Sequence, residues 1–541
     1  MRSFRWRAAG VAGLLAVGVA VQGGPALGAD PVRVSQPTQL TRDADPTRTY
    51  GSPYVLIDPH NRLNVVAATV EMRSRTCRLF RSGDGGQSWK LLDALPGPRN
   101  YPFCFQTSGS VTESPMAWGR NGTLYYALVG WDVNDGGDAR GNLSVVVARS
   151  SNLGTSWDST VARDTRPLTG ADTETNRPVS GLAVDSTTGK EDIVYVTYRR
   201  NLSSATPAVP SRPFVAVSTD GGKTFGTPVD MQEAWAKEPK NVTGTIPDDK
   251  KIPVNLSGFN PVATVDNKGT FYSLWERRTS NVTPSPNFAY YVSKSTDQGK
   301  TFQTFEAFAE TPNLAGGFLV WSKEGGPEGT LHAIWHAKPG QTQGDTDIYY
   351  RRSTDGAKTW SEPIRLNDDD QAKLNTQLLP SLSVAPNGRV DAAWWDFRDD
   401  PGLYVNDVYY AYSTDNGATW SKNIRITDRS VNRKIGPWSN GFDMRQPVGI
   451  ASTDAYTVFA WDDTRNGDDT GQAQDMYSAT VQFKTLASST PNAVRYALAV
   501  LGGVTVVGVG LMILAAVRRR GQPAPSSASP TPSRKSDRVV P

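Results

Sequence analysis

A short polar turn recurs six times along this chain, and that recurrence constrains the fold more than any other feature. Its pattern is S-x-[DN]-x-[GA]-x-[ST]-[WF], and successive copies begin 58 to 77 residues apart. The copies are SGDGGQSW (82–89), SSNLGTSW (150–157), STDGGKTF (218–225), STDQGKTF (295–302), STDGAKTW (353–360) and STDNGATW (413–420). One copy of so short a pattern is a weak signal, whereas six in one chain indicate a repeat architecture.

The residues around each turn repeat as well, and they have the pattern of four short strands. The unit from residue 379 contains LPSLSVAP, GRVDAAWWD and DVYYAYS, then the turn, then WSKNIRIT. These runs are rich in β-branched and aromatic residues and are separated by Gly, Asn, Asp or Pro. Equivalent units begin near residues 52, 114, 177, 260 and 316. The first strand is expected to open on a proline, because a strand tolerates proline at its start; these prolines are Pro53, Pro115, Pro178, Pro261 and Pro380.

A seventh unit, from Gln446, has three strands and no such turn. The segment VRVSQPTQLTRD (32–43) resembles the fourth strands of other units, so it can supply the missing strand and close a ring. Radial packing of four-stranded sheets protects the sheet edges. An all-β fold is therefore predicted, a β-propeller of seven four-stranded blades, with six blades as the alternative.

Both ends of the chain carry apolar segments. Residues 1–29 have basic, apolar and small-residue regions in the order of a secretory signal peptide, with a retained anchor as the alternative. The uncharged run 496–517 is long enough for a transmembrane helix, and three arginines follow it at once. The propeller domain, residues 30–484, is thus expected outside the cell. A linker, 485–495, joins it to the helix, and a disordered cytoplasmic tail occupies 518–541.

This topology predicts a single-pass protein of the plasma membrane, which contacts the lipid bilayer through Tyr496–Val517. Cys77 and Cys104 are the two cysteines of the chain, and in an exported protein they are expected to form a disulfide. A net charge of +4 over 541 residues gives no reason to expect a nucleic-acid partner. A monomer without cofactor or transition metal is expected. Structural calcium at the acidic loop 367–370 is a weaker alternative to a solvated loop.

With these turns the chain resembles the Asp-box, or BNR-repeat, proteins of the sialidase superfamily over nearly all of the propeller region. In that family the Asp box joins the third and fourth strands of a blade, and its aromatic residue fills the space between blades. The resemblance implies a structural role for Asp84, Asn152, Asp220, Asp297, Asp355 and Asp415. Asx and Ser/Thr side chains close turns onto their own backbone, which suits this role.

The face opposite the Asp boxes, called the upper face below, is then the place to look for function. There the second strands tend to end on a carboxylate followed by an arginine. Guanidinium groups bind carboxylates in a bidentate manner, as an acidic sugar requires. The substrate-binding candidates are Arg73, Arg177, Arg277, Arg398, Arg445 and Arg465, and the catalytic candidates are Glu71, Glu276, Asp396, Asp462 and Tyr477. Asp355 is expected to matter for folding and Arg398 for function. The alternative is that Asp396/Arg398 and Asp462/Arg465 are ion pairs that only join loops.

The chain departs from the catalytic pattern of sialidases in three places. Ser52 stands before Pro53, where the family has an arginine, and the loop EMRSRTC (71–77) lacks the acid/base aspartate. Tyr477, late in the chain like the family's nucleophile, falls on a third strand. Two hypotheses therefore remain: a cell-surface glycoside hydrolase of exo-alpha-sialidase type, acting on glycans, or a non-catalytic propeller that binds glycans or proteins.

Overall fold

The structure is a computed structural model, and it describes residues 32–42, 44–45, 47–74, 76–92, 103–104, 115–131, 143–163, 174–176, 179–202, 209–232, 258–278, 287–312, 315–337, 346–373, 375–400, 402–436 and 447–483. These residues form seven antiparallel sheets. Within them, the helical structure is a single 3-10 turn, Arg120–Gly122. The described residues all belong to one compact unit that ends at Phe483.

The strands follow one another blade by blade. The chain starts with β1 (Arg33–Val34) and β2 (Thr38–Gln39), and blade 1 has β3 (Tyr50–Ile57), β4 (Val65–Glu71), β5 (Thr76–Ser82) and β6 (Lys90–Leu92). Blade 2 has β7 (Phe103–Cys104), β8 (Met116–Trp118), β9 (Leu124–Trp131), β10 (Leu143–Ser150) and β11 (Asp158–Arg163). Blade 3 has β12 (Glu174–Asn176), β13 (Val179–Asp185), β14 (Ile193–Leu202), β15 (Val209–Ser218) and β16 (Val229–Asp230).

The second half of the chain repeats this order. Blade 4 has β17 (Gly258–Val265), β18 (Phe271–Arg278), β19 (Asn287–Ser295) and β20 (Gln303–Pro312); blade 5 has β21 (Ala315–Ser322), β22 (Thr330–Ala337), β23 (Asp347–Ser353) and β24 (Ile364–Arg365). Blade 6 has β25 (Gln377–Val384), β26 (Val390–Asp396), β27 (Val405–Ser413), β28 (Ile424–Arg425) and β29 (Val431–Asn432); blade 7 has β30 (Gly449–Ser452), β31 (Tyr456–Asp463) and β32 (Asp475–Gln482).

The seven blades form a closed ring around a central channel. Each innermost strand contacts that of the next blade, in the order β3, β8, β13, β17, β21, β25, β30 and back to β3. Residues of all seven blades line a cavity of about 140 Å³ on the axis. The prediction of a seven-bladed, all-β propeller is thus confirmed.

The N-terminal strands complete blade 7. Both β1 and β2 pair antiparallel with β32, with Val34 opposite Val481 and Gln39 opposite Tyr477. The Thr41 hydroxyl then donates to buried Asp475 at 2.8 Å. Strands from the two ends of the propeller therefore share one sheet, as the sequence predicted, and the ring has no open edge at the junction.

The core lies between blades, because the second strand of each blade is covered on both faces. Every residue of β4, β22 and β26 is buried. Within β22, Trp335 stacks on Phe308 of blade 4 at 4.1 Å, whereas Ile334 packs in the cluster of Trp394 of blade 6. Alternate residues of one strand thus join the two neighbouring blades.

The Asp-box turns form as predicted, between the third and fourth strands. In the turn of blade 3 the Asp220 carboxylate accepts hydrogen bonds from the Lys223 and Thr224 backbone N–H groups, at 3.0 and 2.9 Å, and from the Thr224 hydroxyl at 2.6 Å. The Gly221 N–H donates to Asp192 O in the turn after the first strand, at 3.0 Å, so both turns lie on one face. Trp420 of blade 6 meets Tyr350 of blade 5 edge to face, which fills the gap between blades.

Three of the first-strand prolines lie inside their strands, which differs from the prediction. Strands β3, β17 and β25 begin before Pro53, Pro261 and Pro380, so these prolines do not open their strands. The pairing register shifts at each of them, and the preceding residues Ser52, Asn260 and Leu379 have φ of 58°, 47° and 53°. A β-bulge is the other place where a strand accepts proline, because the ladder needs no N–H there.

The predicted terminal segments, 1–29 and 485–541, lie outside the described residues. Among the residues that the structure does describe, no helix is long and apolar enough to cross a membrane. Cys77 on β5 is buried and belongs to a disulfide. The side chain of Cys104 is not among those described, so its pairing with Cys77 stays a prediction.

Candidate functional site

The upper ends of the second strands carry buried carboxylates, as the sequence suggested. Glu71, Glu276, Asp396 and Asp462 are each less than 10% exposed, at 8%, 4%, 1% and 5%. The loop 279–286 that follows the strand of Glu276 lies outside the described residues, and so do the candidates Arg177 and Arg445. The described side chains of this face form separate local groups, each with its own partners.

Glu276 on β18 is buried and bonds directly to a tyrosine. Its Oε1 accepts the Tyr290 hydroxyl of β19 at 2.9 Å, and its Oε2 accepts the Asn260 amide at 3.2 Å. Asn260 is the bulge residue of β17, two positions before channel-lining Val262. The geometry is that of a hydroxyl nucleophile beside a base, since the two groups are within hydrogen-bond reach.

Burial dominates the electrostatics of this pair. It raises the pKa of Glu276 to about 7, although the Tyr290 hydrogen bond, the Arg199 charge and the Asn260 hydrogen bond all lower it. Tyr290 is 1% exposed, and burial raises the pKa of its phenol well above the usual value, with the Glu276 charge adding to the effect. A carboxyl that titrates near neutral pH can both accept and donate a proton under working conditions.

One arginine of a neighbouring blade acts on Glu276, whereas the arginine next to it in sequence is bonded elsewhere. Arg199, at the upper end of β14, interacts with it electrostatically. Arg277, the next residue of β18, donates to the Tyr291 hydroxyl at 3.1 Å. Tyr291 in turn donates to Glu306 at 3.2 Å. The surroundings of Glu276 therefore contain the positive charge that an anionic sugar needs, although Arg277 itself is engaged with Tyr291.

Arg398 forms a closed network with residues of its own chain. Its Nε and Nη2 donate to the two oxygens of Asp396, at 3.0 and 2.8 Å, and its Nη1 donates to Asp368 at 2.9 Å. Nη2 also reaches the Asn423 amide oxygen at 2.8 Å, and the guanidinium lies 3.9 Å from the Tyr409 ring centre. Since Asp368 follows blade 5 and Asn423 belongs to blade 6, Arg398 ties the two blades together.

Arg465 has a different partner from the one the sequence suggested. Its Nη2 donates to Asp463 at 2.8 Å and to Asp428 at 2.8 Å, rather than to Asp462. Asp462 points elsewhere and forms a short ion pair with Arg433, which is 1% exposed. The predicted pair Asp462/Arg465 is therefore wrong, because adjacent residues of β31 face opposite sides of the blade.

Blades 6 and 7 share one motif that the sequence analysis missed. It reads W-x-D-x-R at 394–398 and again at 461–465. In both copies the tryptophan Nε1 and the arginine backbone N–H donate to the aspartate, at 2.9 and 2.9 Å for Asp396 and at 3.1 and 2.9 Å for Asp463. Aligning the two copies by their tryptophan would have identified Asp463.

Tyr477 lies on the third strand of blade 7, as predicted. Its hydroxyl accepts from the Asn466 amide at 2.9 Å and donates to Gln39 at 3.3 Å. The Arg465 guanidinium lies 4.2 Å from its ring centre. Burial raises the pKa of the phenol, and its hydroxyl bonds to the side-chain amides of Asn466 and Gln39, whereas that of Tyr290 bonds to a carboxylate.

Glu71 and Arg73 serve the short loop of blade 1. The Glu71 carboxylate accepts the Ser74 N–H at 2.6 Å and the Arg73 N–H at 3.4 Å, so it holds the turn that follows β4. Arg73 is half exposed and pairs with Asp45 at 3.1 Å.

The structure brings the candidate residues together in three pairs: Glu71 with Arg73, Asp396 with Arg398, and Arg465 with Tyr477. Tyr290 was missed because the pairing of β18 with β19 brings it to Glu276, and Arg433 because the contact between blades 6 and 7 brings it to Asp462. The sequence shows neither contact.

No group of three or more His, Cys, Asp or Glu side chains is arranged to hold a metal ion within the described part of the chain. The carboxylates of the acidic loop 367–370 bond to protein donors. Asp369 accepts from Arg365 and from the Asn367 amide, at 2.9 and 2.7 Å, and Asp368 accepts the Asn423 N–H at 3.0 Å. These bonds stabilise the connection between blades 5 and 6.

Residues 411–422, around the sixth Asp box, match the BNR/Asp-box repeat family. No curated protein matches the chain. Among solved structures, a protein of unknown function from Dyadobacter fermentans aligns with 84% of this chain and 99% of its own, at 12% identity and a TM-score of 0.43.

Two further structures have assigned activities. An alpha-L-arabinanase from Penicillium chrysogenum, complexed with arabinobiose, aligns with 71% of this chain and 98% of its own, at 15% identity and a TM-score of 0.42. The Hadza microbial sialidase Hz136 aligns with 77% of this chain and 75% of its own, at 14% identity and a TM-score of 0.42. One fold can carry many activities, so the site must decide the function.

Proposed function

We propose that this protein is a glycoside hydrolase of sialidase-like type, acting on acidic glycans, with Tyr290 and Glu276 as its reacting pair. The observation that carries the proposal is the 2.9 Å hydrogen bond from the Tyr290 hydroxyl to a carboxyl group whose pKa is about 7. A tyrosine nucleophile assisted by a carboxylate is one of the known alternatives to two catalytic carboxylates.

The pair divides the reaction into two steps. The Tyr290 oxygen attacks the anomeric carbon while its proton passes to Glu276, and the bond to the leaving group breaks with the electron pair going to the leaving oxygen. Water then attacks the same carbon, and the phenol takes back its proton from Glu276 as the tyrosyl–sugar bond breaks. The proton that the water loses passes to solvent, which balances the proton that the leaving oxygen takes up from solvent. Positive charge from Arg199 favours an anionic sugar next to the pair.

A cell-surface location belongs to the same proposal. The basic and apolar residues 1–29 and the apolar run 496–517 support export and anchoring, with the propeller outside the plasma membrane. Protease added to intact cells should then degrade the propeller but leave the tail, residues 518–541. Protection of the propeller in intact cells would contradict this topology.

The second candidate is a non-catalytic propeller that binds glycans or proteins. Two observations favour it: Arg398 donates to Asp396, Asp368 and Asn423 instead of facing an open pocket, and Glu276 and Tyr290 are only 4% and 1% exposed. In this case the pair would serve only to join β18 to β19.

Turnover of aryl glycosides distinguishes the two candidates. Umbelliferyl glycosides, including a sialoside, have leaving groups that need no protonation, so they report on the Tyr290–Glu276 pair alone. We expect turnover by the full-length chain and its loss in Tyr290→Phe and Glu276→Gln. Tyr125→Phe is the matched control, because Tyr125 donates to buried Asp192 at 3.0 Å near the Asp-box face. No turnover of any glycoside by the wild-type chain would support the second candidate.

A further inference from the structure

Blade 6 carries an addition that its four-stranded sheet does not require. Strand β29 pairs with the upper end of β27, with Val405 opposite Asn432 and Asn406 opposite Val431. It stands beside the path β25-β26-β27-β28 that forms the blade. Additions on a rigid scaffold are where binding residues are commonly placed.

This addition borders a cleft of about 500 Å³, a size typical of small-ligand sites. Its lining is mostly polar, with one aromatic ring. The residues that line the cleft include Asp396, Asp399, Tyr404, Asp407, Asn432 and Lys434.

Four aspartates line the cleft, and three of them are already bonded to groups of the protein, Asp400 through the backbone N–H groups described below and the other two through arginines. Asp396 is paired with Arg398 at 2.8 Å, and Asp407 is paired with Arg425 at 2.8 Å. Lys434 adds a further positive charge at the rim. The deep carboxylates are thus neutralised by arginines, while Asp399 at the rim is exposed. Such a lining suits an uncharged ligand with hydroxyl groups better than a cation.

Tyr404 gives the cleft an aromatic surface. Its side chain is 41% exposed, one of four large hydrophobic residues that stand out in this way among the described residues. Lys434 lies 4.6 Å from the ring centre on one side. A partly exposed aromatic ring offers stacking area at low entropic cost, because tyrosine has only two side-chain torsions.

The backbone that carries Tyr404 is fixed before any ligand binds. The Asp400 carboxylate accepts the backbone N–H groups of Gly402, Tyr404 and Val405, at 3.0, 2.9 and 2.7 Å. The Arg433 N–H donates to Tyr404 O at 2.7 Å. Binding therefore orders little of the chain, which lowers its entropic cost.

We propose that this cleft is a second carbohydrate site, which binds a neutral hexopyranose unit of a glycan. Tyr404 stacks on the C–H face of the sugar, and Asp399 and Asn432 form hydrogen bonds with its hydroxyl groups. An anionic group is disfavoured directly beside Asp399, and Lys434 at the same rim already lies against the Tyr404 ring. The site is separate from the proposed hydrolysis, because it involves neither Glu276 nor Tyr290.

Calorimetric titration of the full-length chain tests this site with lactose and maltotriose as neutral probes and sialyllactose as the acidic one. We expect saturable binding of at least one neutral probe. Tyr404→Ala should weaken it about tenfold, and Tyr404→Phe by less than about threefold, because the stacking surface is kept. Leu63→Ala is the control, since Leu63 is 54% exposed beside the Asp box of blade 1.

The proposal would be overturned by the absence of saturable binding of either neutral probe up to about 10 mM, or by binding to Tyr404→Ala as tight as to the wild type. Asp399→Ala gives an independent test at an exposed side chain and should also weaken binding. Glu276→Gln should retain lactose or maltotriose affinity while losing turnover, so failure of this site and failure of the proposed hydrolysis are distinguishable. Tighter binding of sialyllactose through Tyr404 would also contradict the neutral-sugar assignment.

Discussion

Arg398 holds Asp396 through two parallel hydrogen bonds, Nε to Oδ1 at 3.0 Å and Nη2 to Oδ2 at 2.8 Å. This bidentate geometry is the one with which an arginine binds a substrate carboxylate. Here the carboxylate belongs to the same chain, and its side chain is fully buried. Arg398 thus joins loops, as the alternative interpretation of the sequence held.

Arg398→Ala should therefore destabilise the propeller. Removing the guanidinium leaves the Asp396 carboxylate buried without its cation, which costs about 3 kcal/mol in similar buried pairs. Urea denaturation of the variant should show this loss in the free energy of unfolding. Arg73→Ala, at a half-exposed ion pair, is the control and should change stability by less than about 1 kcal/mol. An unchanged stability together with lost glycan turnover would instead make Arg398 a substrate ligand.

Asp355→Ala should lower stability without affecting function. The Asp355 carboxylate accepts from the Ser353 hydroxyl and from the Lys358 and Thr359 N–H groups, at 2.8, 3.1 and 3.0 Å. Loss of these bonds should cost about 1 to 2 kcal/mol, measured as a lower midpoint of urea denaturation. Asp355→Asn should recover part of the loss, as Asn152 closes the equivalent turn of blade 2. Loss of turnover at unchanged stability would mean that the faces are assigned wrongly.

The Asp boxes should make the fold sensitive to strong acid. Burial raises the pKa values of Asp220, Asp297 and Asp415, but hydrogen bonds from the turn outweigh it and leave them at about 2. A depressed pKa stabilises the fold above the unfolded value near 3.9, and this stability is lost as the pH falls towards 2. Thermal unfolding between about pH 5 and pH 2 should therefore show a falling midpoint, less steep in Asp220→Asn.

Arg48→Ala should loosen the closure of the ring. Arg48 donates to both oxygens of Asp475, at 2.7 Å each, and the Asp475 side chain is fully buried. The corresponding aspartate of blade 6, Asp407, has a more exposed partner in Arg425. We expect a loss of about 3 kcal/mol in the free energy of unfolding for Arg48→Ala. Arg425→Ala should lower the free energy of unfolding by less. Equal losses in the two variants would show that the Arg48–Asp475 pair contributes no more to stability than the equivalent pair of blade 6.

The repeat made much of the fold predictable from sequence. Six turns with fixed residue types located the third and fourth strands, and the likeness of 32–43 to other fourth strands predicted the closure of blade 7. The prolines misled, because a bulge and a strand start tolerate proline for the same reason, the missing N–H. Serine and leucine are not residue types that indicate a positive φ, so the sequence did not predict this conformation at Ser52 and Leu379.

Partners across strands were harder to predict than positions along them. Glu276 was a candidate from the pattern at the end of a second strand, but Tyr290 was not, because their contact depends on the pairing of β18 with β19. For Arg465, the choice between Asp462 and Asp463 depended on which face each residue takes. A shift of one residue moves a side chain to the other face of a strand, so the sequence left this choice open.

The pH dependence of umbelliferyl sialoside hydrolysis tests the reacting pair most directly. The base must be ionised to accept the phenol proton, and the pKa of Glu276 is about 7. We expect kcat/KM of the full-length chain to rise with pH through about 7. In Glu276→Gln we expect kcat/KM to be lower by about 10²- to 10⁴-fold and the rising limb of the pH profile near 7 to be absent. Turnover by Glu276→Gln and Tyr290→Phe at the wild-type rate, with the limb unchanged, would contradict the assignment of this pair.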